Sequence, residues 1–259
     1  MPQPNEGKTT SATISRDISA ADLEVAMSAQ RDPGLLRQLV ELSRSAFGFY
    51  ASHFPYTINY PWVSERIGKL PEGSHVLDIG TGVSPVPLFL AKRGIVVDCV
   101  DNSKHIRTPP AAANWNEWGF FDYSALHPNL SSHHCDITEF APSAKFDAIY
   151  SIASLAHMPR RIREKTLSFC REWLHAKGLL LLAIDVIPST DFIWNRSEGV
   201  EVEPPIQHGT IDDVADQLER LGFRIDECRV MRSVYKSRTD LLFIVCGGED
   251  SGYTTRQLD

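Results

Sequence analysis

The stretch Val76-Leu77-Asp78-Ile79-Gly80-Thr81-Gly82 constrains the fold more than any other part of the chain. An apolar run carrying an acid leads into two glycines one residue apart. The segment Val83-Ser84-Pro85-Val86-Pro87-Leu88-Phe89-Leu90-Ala91 then follows as an amphipathic, helix-length piece. The order is strand, glycine turn, helix. Lacking a Cβ, Gly80 and Gly82 let backbone pass close to a bound molecule, and a helix starting beyond them offers free N–H groups. A nucleotide-like ligand suits that position.

Two familiar nucleotide devices do not fit. A dinucleotide fingerprint carries a third glycine, G-x-G-x-x-G, where this chain has Pro85. The phosphate-cradling P-loop needs a Lys-Ser/Thr pair after its last glycine, and none occurs here. Ile95-Val96-Val97-Asp98-Cys99-Val100-Asp101 reads as the next parallel strand. It ends in an acid about 20 residues past the glycines, the spacing of a ribose-hydroxyl acceptor. Asp101 is the candidate. Nicotinamide-dependent folds use the same device, so this step supports a ribose without choosing the cofactor.

Asp78, Gly80 and Gly82 stand in the D-x-G-x-G positions of class I S-adenosylmethionine-dependent methyltransferases, and the sequence resembles that family in three further places. These are the strand ending at Asp101, the segment Ser132-His133-His134-Cys135-Asp136-Ile137, and the run Lys145 to Pro159 with its F-D-x-I-x-S core and its His157. The resemblance covers roughly Ser74 to Gly247. It implies an α/β fold: a Rossmann-like, doubly wound, seven-stranded sheet, mostly parallel, with an antiparallel last strand inserted between its neighbours. It assigns cofactor binding to Asp78, Gly80, Thr81 and Gly82, to Asp101 with Asn102, to Asp136 and Ile137 around the adenine, and to Ser151 beneath the methionine part. The implied cofactor is S-adenosylmethionine and the partner a small-molecule or glycan-precursor acceptor, with O-methylation favoured. Many relatives carry Glu before the histidine of the fourth segment, where this chain has Ala156.

A sulfonium methyl is already activated, so alignment and a dry site matter more than a strong catalyst, and positioning alone can supply about 7 to 11 kcal/mol. For a hydroxyl acceptor a base helps. His157 is the candidate because imidazole titrates near neutrality. Asp185, at the end of the fifth strand, would orient that ring or bind the acceptor. The competing readings are a histidine that only packs and a carboxylate that only caps a turn. At the level of the whole chain, the alternatives are a cofactor-binding but catalytically silent module and an aminopropyltransferase of the same fold.

Bulk properties fit a water-soluble enzyme of 259 residues, 42% hydrophobic, with formal charge -7 and pI near 5.7. No basic excess marks a nucleic-acid surface, and no apolar run approaches the roughly 18 residues needed to span a bilayer. The expectation is a cytoplasmic protein without membrane or nucleic-acid partners. Its oligomeric state is left open. The basic run Arg160 to Lys165 reads as the solvated face of a helix. Cys99, Cys135, Cys170, Cys228 and Cys246 lack paired spacing and read as reduced core thiols. His133, His134, Cys135 and Asp136 alternate across a strand, which argues against a metal site.

Along the chain, residues 1–19 read as a disordered tail, 20–72 as a helical and aromatic lid segment, and 73–250 as the methyltransferase domain. Ser19 caps one helix and Asp32-Pro33 opens another, on which Leu35, Leu39, Leu42 and Ala46 form the buried stripe. The aromatic run Phe47 to Val63 either covers the site or packs the helices onto the core. The insert Thr108 to Ser124 is an elaboration in which Trp115, Trp118 and Tyr123 either line an acceptor pocket or pack. A helix is predicted over Met158–Lys177, a strand over Gly178–Asp185, a loop over Val186–Gly209, and a capped helix from Thr210 to Leu221. Two strands, Arg224–Met231 and Leu241–Cys246, close the fold.

Overall fold

The computed structural model describes residues 17–108, 116–197 and 199–247. Most of the predicted tail and Trp115 lie outside them. Capping decides where the first helices begin. The Ser19 hydroxyl accepts from the Asp22 N–H at 3.1 Å to open α1 (Ala20–Ala29), and Asp32 accepts from Leu35 at 3.2 Å to open α2 (Pro33–Phe47). The face that α2 buries is Leu36, Leu39, Val40, Ser43 and Phe47, one step round from the predicted stripe. Phe47, large and at the helix end, sets that rotation by packing edge-on to Phe121 at 5.2 Å. Leu35, Leu42 and Ala46 are left at the margin. The aromatic run conceals a third helix, α3 (Tyr56–Ile67), in spite of Pro61 within it.

The glycine turn follows β1 (His75–Ile79) and leads to α4 (Val86–Ala91), all six residues of which are buried. This helix is not amphipathic, because it packs against α2 and α3 as well as against the sheet strands β2 (Val96–Asp101) and β5 (Leu130–His134). Between β2 and β5, in the segment read as an elaboration, the described residues form only a two-residue pair, β3 (Ile106–Arg107) with β4 (Phe120–Phe121), and a 3-10 turn at Tyr123–Ala125.

The chain continues through β6 (Phe146–Ile152), a 3-10 turn at Leu155–His157 and α5 (Arg160–Trp173) into β7 (Leu174–Val186). The helix ends four residues short of the prediction because Leu174 already pairs with Phe146. A bulge then carries His175 to Gly178 before Leu179 pairs with Ala148. The predicted loop after β7 holds a small hairpin, β8 (Arg196–Ser197) with β9 (Val200–Glu201), and the single turn α6 (Pro205–His208). Thr210 and Asp213 form the reciprocal cap of α7 (Ile211–Arg220). The strands β10 (Arg224–Met231) and β11 (Asp240–Gly247) complete the sheet.

The sheet order is β10-β11-β7-β6-β1-β2-β5, with β11 antiparallel to both neighbours and the other strands running one way. Both faces are covered. One carries α1 to α4 over Val76, Val97, Tyr150 and Phe243, and the other carries α5 and α7 over Leu77, Ile149, Leu180 and Ile244. Strand order reverses at β1, so the crevice at the C-terminal ends of β1, β2 and β6 is where such a sheet binds ligands. None of the helices among the described residues is long and apolar enough to cross a membrane.

Candidate active site

Gly80 and Gly82 both hold positive φ, +72° and +55°. The atoms a side chain would strike are protein atoms. A Cβ on Gly80 would come within 2.0 Å of the Ser154 hydroxyl, and one on Gly82 within 2.5 Å of the Glu117 carbonyl. The glycines therefore bring the turn against the loop after β6 and against the insert, a packing requirement that the sequence reading did not anticipate. The helix start is also already satisfied. Ser84 N donates to the Tyr123 hydroxyl at 2.6 Å, Val86 N donates to Ser84 Oγ at 3.2 Å, and Pro85 and Pro87 carry no N–H.

Asp101 braces the turn from β2. Its Oδ2 accepts from Gly82 N at 2.9 Å and its Oδ1 from Ser103 N at 2.7 Å. Two adjoining cavities open from this point. One, of about 250 Å³, is lined by Asp78, Gly80, Thr81, Gly82 and Asp101 from the strand ends, by Tyr56 and Tyr60 of α3, and by Glu117 and Trp118 of the insert. The other, of about 270 Å³, is lined by Ile79, Val100, Cys135, Asp136, Ile137, Met158, Pro159 and Ile162. They share Gly80, Asp101, Asn102, Ser154, His157 and Ser197. Asp136 accepts from Asn102 Nδ2 at 2.9 Å and from Thr138 Oγ1 at 2.7 Å, while Ile137 is buried beside it.

Two sequence candidates do not reach either cavity. Ser151 is buried and donates to the Ile79 carbonyl at 2.9 Å, which fastens β6 to β1. Asp185 is buried against Thr239, whose hydroxyl donates to it at 3.3 Å, and it makes no hydrogen bond to His157. The orienting partner of His157 is the Arg196 carbonyl of the hairpin, 2.7 Å from Nδ1. A carbonyl only accepts, so Nδ1 carries the proton and Nε2 is left as the acceptor. The Trp194 indole donates to the same carbonyl at 2.9 Å.

Burial sets the protonation states. It pulls the His157 pKa below the usual imidazole value, against the pull of the Arg196 hydrogen bond. The same cause takes neighbouring His53 down to about 4, with His157 and Arg238 adding to it. Burial pushes Asp78 up to about 8 and Asp185 up to about 7. Near neutral pH the site holds a neutral imidazole.

Sequence reasoning left the insert and the aromatic run open. The structure divides each of them. Tyr56, Tyr60 and Trp118 line the first cavity, whereas Phe47, Tyr50 and Trp62 pack in the core, and Tyr123 lies wholly buried behind the glycine turn. Glu117, Ser154 and Ser197 went unnoticed: Glu117 lies in the insert, Ser154 stands between the motif positions of the fourth segment, and Ser197 is in a two-residue strand with no sequence signal. The basic run also differs from expectation. Arg163 is buried, with its guanidinium donating to the His208 carbonyl, while Arg160 pairs with Glu164 and Asp213 at 3.0 Å. Cys99, Cys170 and Cys246 are core thiols, but Cys228 is exposed and Cys135 half-buried.

Similar solved structures share this architecture. The chain superposes on 1,6-didemethyltoxoflavin-N1-methyltransferase of Burkholderia thailandensis with a TM-score of 0.55 at 16% identity, covering 89% of each chain. The fold is that of a methyltransferase. Phosphoethanolamine N-methyltransferase 2 of Haemonchus contortus gives 0.55 at 16% identity over 81% of this chain and 56% of its own. TehB of Haemophilus influenzae gives 0.53 at 12% identity over 81% and 67%. No family model and no curated protein matches the sequence. The methyltransferase-fold frame thus rests on three-dimensional likeness.

Proposed function

We propose that the protein transfers a methyl group from S-adenosylmethionine to a small-molecule acceptor. The observation that carries this reading is the pair of joined cavities, with one carboxylate at the waist and another in the far chamber. Asp101 faces the waist, and although each of its oxygens already accepts one backbone N–H, each keeps capacity for a ribose hydroxyl. Asp136 can accept from an exocyclic amino group while Ile137 and Ile162 give apolar cover to a purine. Asp78, protonated near neutral pH, offers an O–H to the chamber that would take the amino-acid part. The donor set fits that cofactor. The structures from Burkholderia thailandensis and Haemonchus contortus are complexes with S-adenosylhomocysteine, which supports the same choice.

When bound, the cofactor supplies an activated methyl on sulfur. The chain's own work is to align, to exclude water and to take a proton. His157 borders both cavities and holds Nε2 free, so it can accept the acceptor's proton as the new bond forms. The fixed Arg196 carbonyl keeps the ring in that tautomer. The family resemblance favours an oxygen acceptor. Calorimetric titration with S-adenosylhomocysteine tests the cofactor assignment. Asp101→Ala should weaken binding by about 1.5 to 3 kcal/mol, the worth of hydrogen bonds to a charged group. Parental affinity in the folded variant would overturn the site, and a preference for NADH in direct competition would revive a dehydrogenase.

A further inference from the structure

The first cavity carries three acids, Asp78, Asp101 and Glu117, and among its described lining residues there is neither lysine nor arginine. The three are not equivalent. Asp78 is uncharged near neutral pH, and Asp101 is engaged by two backbone N–H groups, its remaining capacity being assigned above to a ribose. Glu117 has no ion-pair partner among the described residues. Its backbone is clamped to the glycine turn, with its carbonyl accepting from Val83 N at 2.9 Å, so the carboxylate is held at the cavity wall. Burial raises its pKa, against the pull of a hydrogen bond from its own backbone N–H.

Across from the strand ends stand aromatic rings. Tyr56 and Tyr60, one helical turn apart on α3, stack at 4.7 Å with 5° between their planes, and Trp118 is adjacent in sequence to Glu117. The Trp118 side chain is half exposed at the rim, at 52%. An aromatic wall beside an uncompensated carboxylate is the chemistry that holds an organic ammonium, through ring-face attraction and a charge-assisted hydrogen bond.

Resting on the methyl-transfer reading above, we infer that the acceptor is an organic amine with a planar ring, drawn in as its ammonium by Glu117 and seated against Tyr56, Tyr60 and Trp118. Methyl transfer then requires that one ammonium proton pass to His157 Nε2. The freed nitrogen lone pair forms the bond to the methyl carbon as the carbon–sulfur bond breaks, and that electron pair stays on sulfur. The product leaves as the methylated ammonium, and His157 returns its proton to water. The preference for nitrogen replaces the oxygen acceptor that the sequence favoured.

Calorimetry at pH 7 on protein saturated with S-adenosylhomocysteine reads this preference directly, with tryptamine against tryptophol and phenethylamine against phenethyl alcohol as probes. Each amine should bind at least about tenfold more tightly than its alcohol, the ratio expected of one hydrogen bond to a charged group. Glu117→Gln should abolish that ratio and leave affinity for S-adenosylhomocysteine intact, which also shows that the variant is folded. Alcohols binding as well as amines to the loaded protein would overturn the amine acceptor while leaving the methyl-transfer reading in place. Loss of S-adenosylhomocysteine affinity in Glu117→Gln would also overturn it, because Glu117 would then hold the cofactor's own ammonium. Failure of the parent protein to bind S-adenosylhomocysteine, with amine selectivity through Glu117 retained, would sink the methyl-transfer reading and keep the cation site.

Discussion

The two cavities are built from different kinds of chain. The Asp136 chamber is walled mostly by strand ends and the first residues after them, whose positions follow from the sheet register, and is closed by Met158, Pro159 and Ile162 at the start of α5 and by Ser197 of the hairpin. The Glu117 chamber is walled on one side by β1 and β2 and on the other by α3 and the insert, neither of which the sheet dictates. A cofactor site can therefore be shared across a fold while the facing wall is free to change. Loops mounted on a rigid scaffold usually carry the specificity in such an arrangement.

The largest expected effect tests His157, one of the residues common to both chambers. His157→Ala should lower turnover on an identified acceptor by about 100-fold or more, the ordinary yield of base catalysis, with cofactor affinity nearly unchanged. Because burial lowers the His157 pKa, its base form persists below the usual imidazole range. The parent rate should rise with pH through a midpoint below 6.5 and then level off. A midpoint above 6.5, or parental turnover in the variant, would remove His157 from the chemistry.

A smaller effect tests the wall between the chambers. Gly80→Ala forces a Cβ into Ser154 at positive φ and should cost about 1 to 3 kcal/mol of stability together with cofactor affinity. Ser154→Gly in the same chain should restore part of both, measured by thermal melts and calorimetry. No restoration would mean that the Gly80 side chain meets the ligand rather than the loop.

Asp185 and Ser151 test whether the comparison is complete, since each is buried outside both chambers. Asp185 has its folded pKa raised from 3.8 to about 7, so its neutral form is the one the fold accepts. Its stabilising contribution is full below the unfolded value and is lost as pH rises through about 7. Asp185→Asn should accordingly melt higher than the parent at pH 8 and no higher at pH 4. A drop in turnover larger than the stability change would return Asp185 to the acceptor site. Ser151→Ala should cost only about 1 kcal/mol, the value of one buried hydrogen bond, and leave cofactor binding untouched.

The contrast between chambers also marks what the sequence made legible. That Asp78, Gly80, Asp101, Asp136 and Ile137 meet around the cavities was readable, because parallel strands repeat at regular spacing and their ends must converge on one edge. Even the antiparallel insertion of β11 followed from the family resemblance. Ser151 misled because a small polar residue at a strand end serves the sheet's own hydrogen bonding as readily as a ligand. Asp185 misled because its strand end lies under Thr239. The partner of His157 could not be read at all, since Arg196 contributes only its carbonyl and any residue has one. Likewise α3 was hidden by Pro61, and Glu117 acquired meaning only when folding brought the insert to the glycine turn.

The Tyr123 hydroxyl, wholly buried, accepts from Ser84 N and lies 3.0 Å from the carbonyls of both Gly82 and Ser84. One phenol thus bolts the insert that walls the first cavity to the glycine turn. Grafting an insert from another enzyme to change specificity would pull out that bolt unless the tyrosine travels with it. The smallest transplantable unit in this scaffold is therefore the insert together with its tyrosine and the turn it grips.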